Sequence, residues 1–135
     1  MPLLLDTGIL YAMADADDAW HARVVGYLEK NTEMLMTPVT VVPEAAYLLR
    51  ARLGPQVEKE FIASLAAREV AVEMLSNADL VRAVAVMAER PDVGFVDASV
   101  VAIAERLRLH RIATTDRRHF STITPRHRAS FELVP

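Results

Sequence analysis

Cysteine is absent from this 135-residue chain, which excludes a disulfide framework, a thiolate metal site and a cysteine nucleophile. A reducing compartment, the cytoplasm, is the expected location. Glycine is scarce: there are four, and none has the spacing of a phosphate-binding loop or a dinucleotide fingerprint. No apolar run approaches the roughly 18 residues that span a bilayer, so no membrane partner is expected. Met1 to Leu5 has neither the basic start nor the apolar length of a secretory signal. Ser64, Ser76, Ser99, Ser121 and Ser130 lie outside any nucleophile-elbow motif, which leaves serine-hydrolase chemistry without support. His110, His119 and His127 lack zinc-site spacing and have no cysteine to join them.

The residues present, 53% hydrophobic and 24% charged, read as a soluble globular protein, with residues 1–135 forming one domain. The net charge of −3 hides an asymmetry. Residues 1–97 carry 8 Lys/Arg against 15 Asp/Glu, whereas residues 98–135 carry 7 Arg against 3 acidic residues. A basic stretch beside an acidic body can meet phosphates with the former while the latter concentrates cations.

Short apolar runs alternate with helical patterns, which points to an α/β domain. Strands are predicted over residues 2–5, 34–37, 70–73, 111–114 and 131–134. Helices are predicted over 7–14, 19–30, 41–53, 56–67, from a Ser76 or Asn77 cap through Ala88, and 98–109, with Asp17 or Asp18 capping the second and Asp97 at the start of the last. This order favours a parallel sheet covered by helices. Sites in such sheets lie outside the carboxyl ends of the strands.

Four acidic residues stand where strands and helices meet. Asp6 ends Leu3-Leu4-Leu5, Glu44 opens Ala45-Ala46-Tyr47, Asp97 follows Gly94-Phe95-Val96, and Asp116 follows Ile112-Ala113-Thr114-Thr115. Charges among apolar neighbours are costly to desolvate, and a divalent cation is the simplest remedy if all four converge. Taken singly, Asp6 and Asp97 also read as N-caps, Glu44 as a first-turn glutamate and Asp116 as a turn residue.

The motifs Leu5-Asp6-Thr7-Gly8, Pro43-Glu44-Ala45, Phe95-Val96-Asp97-Ala98 and Ala113-Thr114-Thr115-Asp116-Arg117-Arg118-His119-Phe120 resemble those of the PIN-domain ribonucleases. More narrowly, the chain resembles the VapC toxins of type II toxin–antitoxin pairs over nearly its whole length. The resemblance implies a three-layer α/β/α domain with a mainly parallel sheet of four to five strands. It also implies an Mg²⁺-dependent endoribonuclease that hydrolyses RNA phosphodiester bonds with metal-activated water. Asp6 and Asp97 are then the direct metal ligands, with Glu44 and Asp116 acting through water or a second ion. Thr114 supplies the family's hydroxyl two residues before the last aspartate, and Thr7 the hydroxyl after the first. Mn²⁺ is an alternative, since both ions accept carboxylate oxygen. A cognate antitoxin and a homodimer are the implied partners.

Two other classes compete. One is a non-catalytic PIN-fold module that binds protein or RNA, against which the four intact carboxylates argue. The other is a haloacid-dehalogenase-type phosphatase, which requires an aspartate where Gly8 stands. Arg117 and Arg118 are candidates to hold the RNA backbone, with Arg126 and Arg128 weaker. Tyr11, Trp20 and Tyr47 are candidates for base stacking or packing. Asp15, Asp17, Asp18 and His21 read as solvated caps, and His119, which its closeness to Asp116 could bring to substrate, reads rather as packing beside Phe120. The hairpin about Gly54-Pro55 carries more apolar residues (Val42, Tyr47, Leu48, Leu49, Phe61, Ile62, Leu65) than a single core stripe needs. That face suits an amphipathic segment of a partner.

Overall fold

The computed structural model describes residues 1–135 and arranges them around five parallel strands. In chain order these are β1 (Leu3–Leu5), β2 (Leu35–Pro38), β3 (Ala71–Glu73), β4 (Arg111–Ala113) and β5 (Glu132–Val134). The helices are α1 (Thr7–Ala14), α2 (His21–Lys30), α3 (Val41–Leu53), α4 (Pro55–Ala66), α5 (Asn77–Glu89), α6 (Phe95–Arg106) and α7 (Arg117–Phe120). Sheet order is β3-β2-β1-β4-β5, so β1 is central.

Leu3, Leu4 and Leu5 are each at most 1% exposed. Successive strand residues point to opposite faces, so burial of all three means that both faces of the sheet are covered. Truncating one of these leucines to alanine costs about 2–5 kcal/mol. It also loosens the strand that ends at Asp6. Helix α6 is buried all round, with Ala98 through Ala104 all inside, because its small and β-branched residues let neighbours approach closely. Packed against it is α5, started by a reciprocal capping box between Ser76 and Asp79. Helix α1 packs on α2 and α3, and α3 on α4.

The chain runs β1 to β2 to β3 outward on one side, then returns to the other side of β1 for β4. The reversal leaves a crevice between the carboxyl ends of β1 and β4, where ligands bind in open parallel sheets. Asp6 and Thr114 are the residues that immediately follow those two strands.

Helices α1 and α3 match their predicted bounds, α4 and the strands shift by about one residue, and three elements differ more from expectation. Helix α2 starts at His21 with Trp20 as an uncapped N-cap; Asp18 instead accepts the Trp20 N–H at 2.8 Å in a preceding turn. Helix α6 starts at Phe95 with Gly94 as N-cap, so Asp97 is a first-turn residue whose carboxylate is free of capping duty. The four-residue α7, absent from the predicted elements, is too short to show a periodicity. Gly54 takes φ 99, a left-handed conformation that ends α3 and lets Pro55 open α4 at once. No helix is long and apolar enough to cross a membrane.

Candidate active site

Asp6 is both the N-cap of α1 and the most buried acid of the crevice, 6% exposed. Its Oδ1 accepts the Ile9 N–H at 3.2 Å, and its Oδ2 accepts the Thr114 hydroxyl. Thr114 is fully buried, and its Oγ1 also accepts the Asp116 N–H at 3.0 Å. One hydroxyl therefore joins the end of β1 to the loop after β4. Burial pushes the Asp6 carboxyl up to about 7, opposed by these two hydrogen bonds and reinforced by the charges of Asp97 and Asp116.

Asp97 projects from the first turn of α6, about a quarter exposed. Burial raises its carboxyl above the ordinary range; His119 opposes the shift, and Asp116 and Glu44 add to it. Glu44, exposed in the first turn of α3, is thus close enough to Asp97 for its charge to be felt. Asp116 is the N-cap of α7 and accepts the Arg118 N–H at 3.2 Å.

His119 departs from expectation. Phe120 is the core residue, fully buried, while His119 turns the other way. Its Nδ1 lies 3.0 Å from Asp97 Oδ2 and 3.4 Å from Asp116 Oδ2. Donor atoms of Asp97, Asp116 and His119 all fall within 4.8 Å of one another. The available signal was the three-residue step from Asp116, which returns to the same side of a helical turn.

A second pair fixes the wall of the crevice. Ser99 Oγ donates to the Val96 carbonyl at 2.6 Å, so Thr40 Oγ1 is the donor in the 2.6 Å bond between the two hydroxyls. That bond ties the start of α3, which carries Glu44, to the start of α6, which carries Asp97. On the opposite wall a Cβ at Gly8 would fall 2.1 Å from Thr115 Oγ1. Glycine lets α1 lie this close to the loop bearing Asp116 without turning the Thr115 hydroxyl aside.

No lysine or arginine forms an ion pair with any of the four acids; His119 is their sole basic contact. Of the four acids only Asp97 and Asp116, with His119, come close enough to share one ion, while Asp6 and Glu44 are coupled to them through their charges; carboxylate oxygens suit a hard cation. Arg117 is engaged by the Pro135 carbonyl, whereas Arg118 is exposed with a free side chain. Tyr11 is buried and bonded to Asp15, which removes it as a stacking residue, and Trp20 lies under the Arg23 guanidinium. Tyr47, 71% exposed one turn after Glu44, remains open.

This fold and this acidic crevice are those of a nuclease domain, and comparison with known proteins agrees. The PIN-domain family model matches residues 3–124. Ribonuclease VapC26 of Mycobacterium tuberculosis is 30% identical over 98% of this chain and 100% of its own length. Solved structures share the fold. VapC20 of M. tuberculosis, a Sarcin-Ricin loop cleaving toxin, aligns with a TM-score of 0.80 at 22% identity, covering 87% of this chain and 92% of its own. VapBC2 of Rickettsia felis, bound to a promoter DNA fragment, gives 0.73 at 14% identity with full coverage of both chains. FitAcB of Neisseria gonorrhoeae gives 0.67 at 18% identity, covering 89% and 91%. The chain belongs to the PIN-domain family and, within it, to the VapC ribonuclease toxins.

Proposed function

We propose that residues 1–135 form one PIN domain that cuts RNA internally with the help of Mg²⁺ held by Asp6 and Asp97, with Glu44 and Asp116 completing the site through water or a second ion. The observation that carries this reading is Asp6, a buried carboxyl pushed up to about 7 with no cationic side chain beside it. A bound divalent ion supplies charge neutralisation, polarises the phosphate and makes water a better nucleophile. The chain's own residues hold and orient. Thr114 fixes the Asp6 carboxylate through Oδ2 and holds the Asp116 backbone at 3.0 Å. One oxygen each of Asp97 and Asp116 and one ring nitrogen of His119 lie within 4.8 Å of one another. Mn²⁺ is the alternative ion, since it too accepts carboxylate oxygen.

RNA as substrate is supported by the ribonuclease relative, and an antitoxin partner by the VapBC2 and FitAcB neighbours. The surface offered to such a partner is the α3–α4 hairpin, where α4 buries no residue fully and Tyr47 and Ile62 are 71% and 43% exposed. A homodimer and a cytoplasmic location complete the proposal. The test is incubation of total RNA with the wild-type chain and the Asp97→Asn variant, with Mg²⁺ or EDTA, followed by mapping of the new ends. Discrete cuts that need both Mg²⁺ and Asp97 support the reading. Equal cutting by both proteins, or none by the wild type, overturns it. The expected loss in the variant is roughly a hundredfold or more, the scale of removing one electrostatic stabiliser.

A further inference from the structure

His119 is the one side chain at the crevice to which the carboxylate reading gives no task. It projects from α7, whose next residue, Phe120, anchors that short helix in the core. Its Nδ1 lies 3.0 Å from Asp97 Oδ2 and 3.4 Å from Asp116 Oδ2. An ionised carboxylate offers only acceptors, so the ring nitrogen between the two acids must carry a proton. A nitrogen that donates in this way has no lone pair left for a metal. Its effect on Asp97 has the matching sign: the hydrogen bond lowers the carboxyl against the rise from burial, which favours the ionised form.

The two acids are engaged differently. Asp116 accepts the Arg118 N–H through Oδ1 and faces His119 with Oδ2. Asp97 meets His119 through Oδ2, and its Oδ1 makes no hydrogen bond within the protein. Asp97 is therefore held by one oxygen and has the other to give. The acids come from separate elements, the first turn of α6 and the N-cap of α7, and the charge of Asp116 opposes that of Asp97. One N–H lying between them offsets that repulsion before any ion arrives. We propose that His119 is a positioning residue of the ion site: through Nδ1–H it keeps Asp97 and Asp116 together and fixes the Asp97 carboxylate with Oδ1 free for the ion. This rests on Asp97 being a metal ligand. The ring acts through the carboxylates and does not ligate. Partners that orient a ligand in this manner change metal affinity roughly 10- to 100-fold.

Two measurements test it. In EDTA, the nitrogen NMR signals of the histidine rings report the protonated site, with His119 assigned by the signals missing from His119→Asn. Nδ1 of His119 should be protonated in the wild type; a ring protonated at Nε2 alone overturns the proposal. Calorimetry then gives the Mn²⁺ affinity of the wild type and of His119→Ala, His119→Asn and His119→Gln. Asparagine places an amide N–H the same number of bonds from Cα as Nδ1, and glutamine the same number as Nε2. His119→Ala and His119→Gln should therefore bind Mn²⁺ roughly 10- to 100-fold more weakly, and His119→Asn should recover most of the loss. Electron spin-echo spectra of the bound Mn²⁺ should show no directly coordinated nitrogen. Unchanged affinity in His119→Ala, rescue by glutamine in place of asparagine, or a nitrogen bound to Mn²⁺ each overturns the positioning role. Equal binding by wild type and Asp97→Asn removes Asp97 as a ligand and the proposal with it. Loss in Asp97→Asn without loss in His119→Ala overturns the proposal alone.

Discussion

Asp6 carries an energetic liability at neutral pH that its hydrogen bonds do not remove. Its carboxyl titrates near 3.8 in an unfolded chain and about 7 in the folded one, so between those values the folded protein holds the extra proton. Stability in EDTA therefore falls as pH rises from about 4 to 7 and levels off above, a loss on the order of 4 kcal/mol. Asp97, raised as well, adds in the same direction. Denaturation curves across this range should show the decline in wild type and a much flatter profile in Asp6→Asn. Thr114 can still serve an asparagine, because its hydroxyl can turn to the Asp116 carbonyl 3.2 Å away and accept from the amide. A wild-type profile that rises between pH 4 and 7 contradicts this account of Asp6. His119 shows what single residues conceal: beside Phe120 it reads as packing, and only the turn of α7 reveals that the two side chains face opposite ways.

Two contacts between elements set the width of the crevice. Thr40 and Ser99 join α3 to α6, and removing the donor with Thr40→Val should cost about 1 kcal/mol of stability. Cleavage should fall roughly tenfold through misplacement of Glu44 against Asp97, since displacements near 1 Å already cost about 10²-fold. Thr40→Ser keeps the hydroxyl and should restore the rate; full activity in Thr40→Val defeats the clamp. Gly8 and Thr115 set the other wall. Gly8→Ala should destabilise by about 1–3 kcal/mol through overpacking, and a second change, Thr115→Ala, should recover most of that loss. Additive losses in the double variant would show that the two residues do not touch. Helices α1 and α3 were legible in sequence because one has Asp6 as a true cap and the other ends at Gly54. Helix α6 begins three residues before its sequence pattern predicts, since an aspartate before an apolar run looks like a cap whether or not it acts as one.

At the scale of the whole molecule, strand order does what no local pattern shows. Residues 6 and 114 are 108 positions apart and meet because β1 and β4 are neighbours at the point where the chain reverses across the sheet. The sequence carried the residue types and their places at strand ends. It did not carry the Thr40–Ser99 bond, 59 residues in span, nor the reach of His119 to Asp97 across 22 residues. Paired long-range contacts of this kind leave no periodicity to read.

The claim beneath all of this is that separate carboxylates share one divalent site. Mn²⁺ binding followed by electron paramagnetic resonance tests it without reference to turnover. Wild type should bind Mn²⁺ in competition with Mg²⁺, Asp6→Asn and Asp97→Asn should each lose that binding, and the exposed Asp17→Asn should retain it. Unchanged Mn²⁺ affinity in both Asp6→Asn and Asp97→Asn would contradict the account.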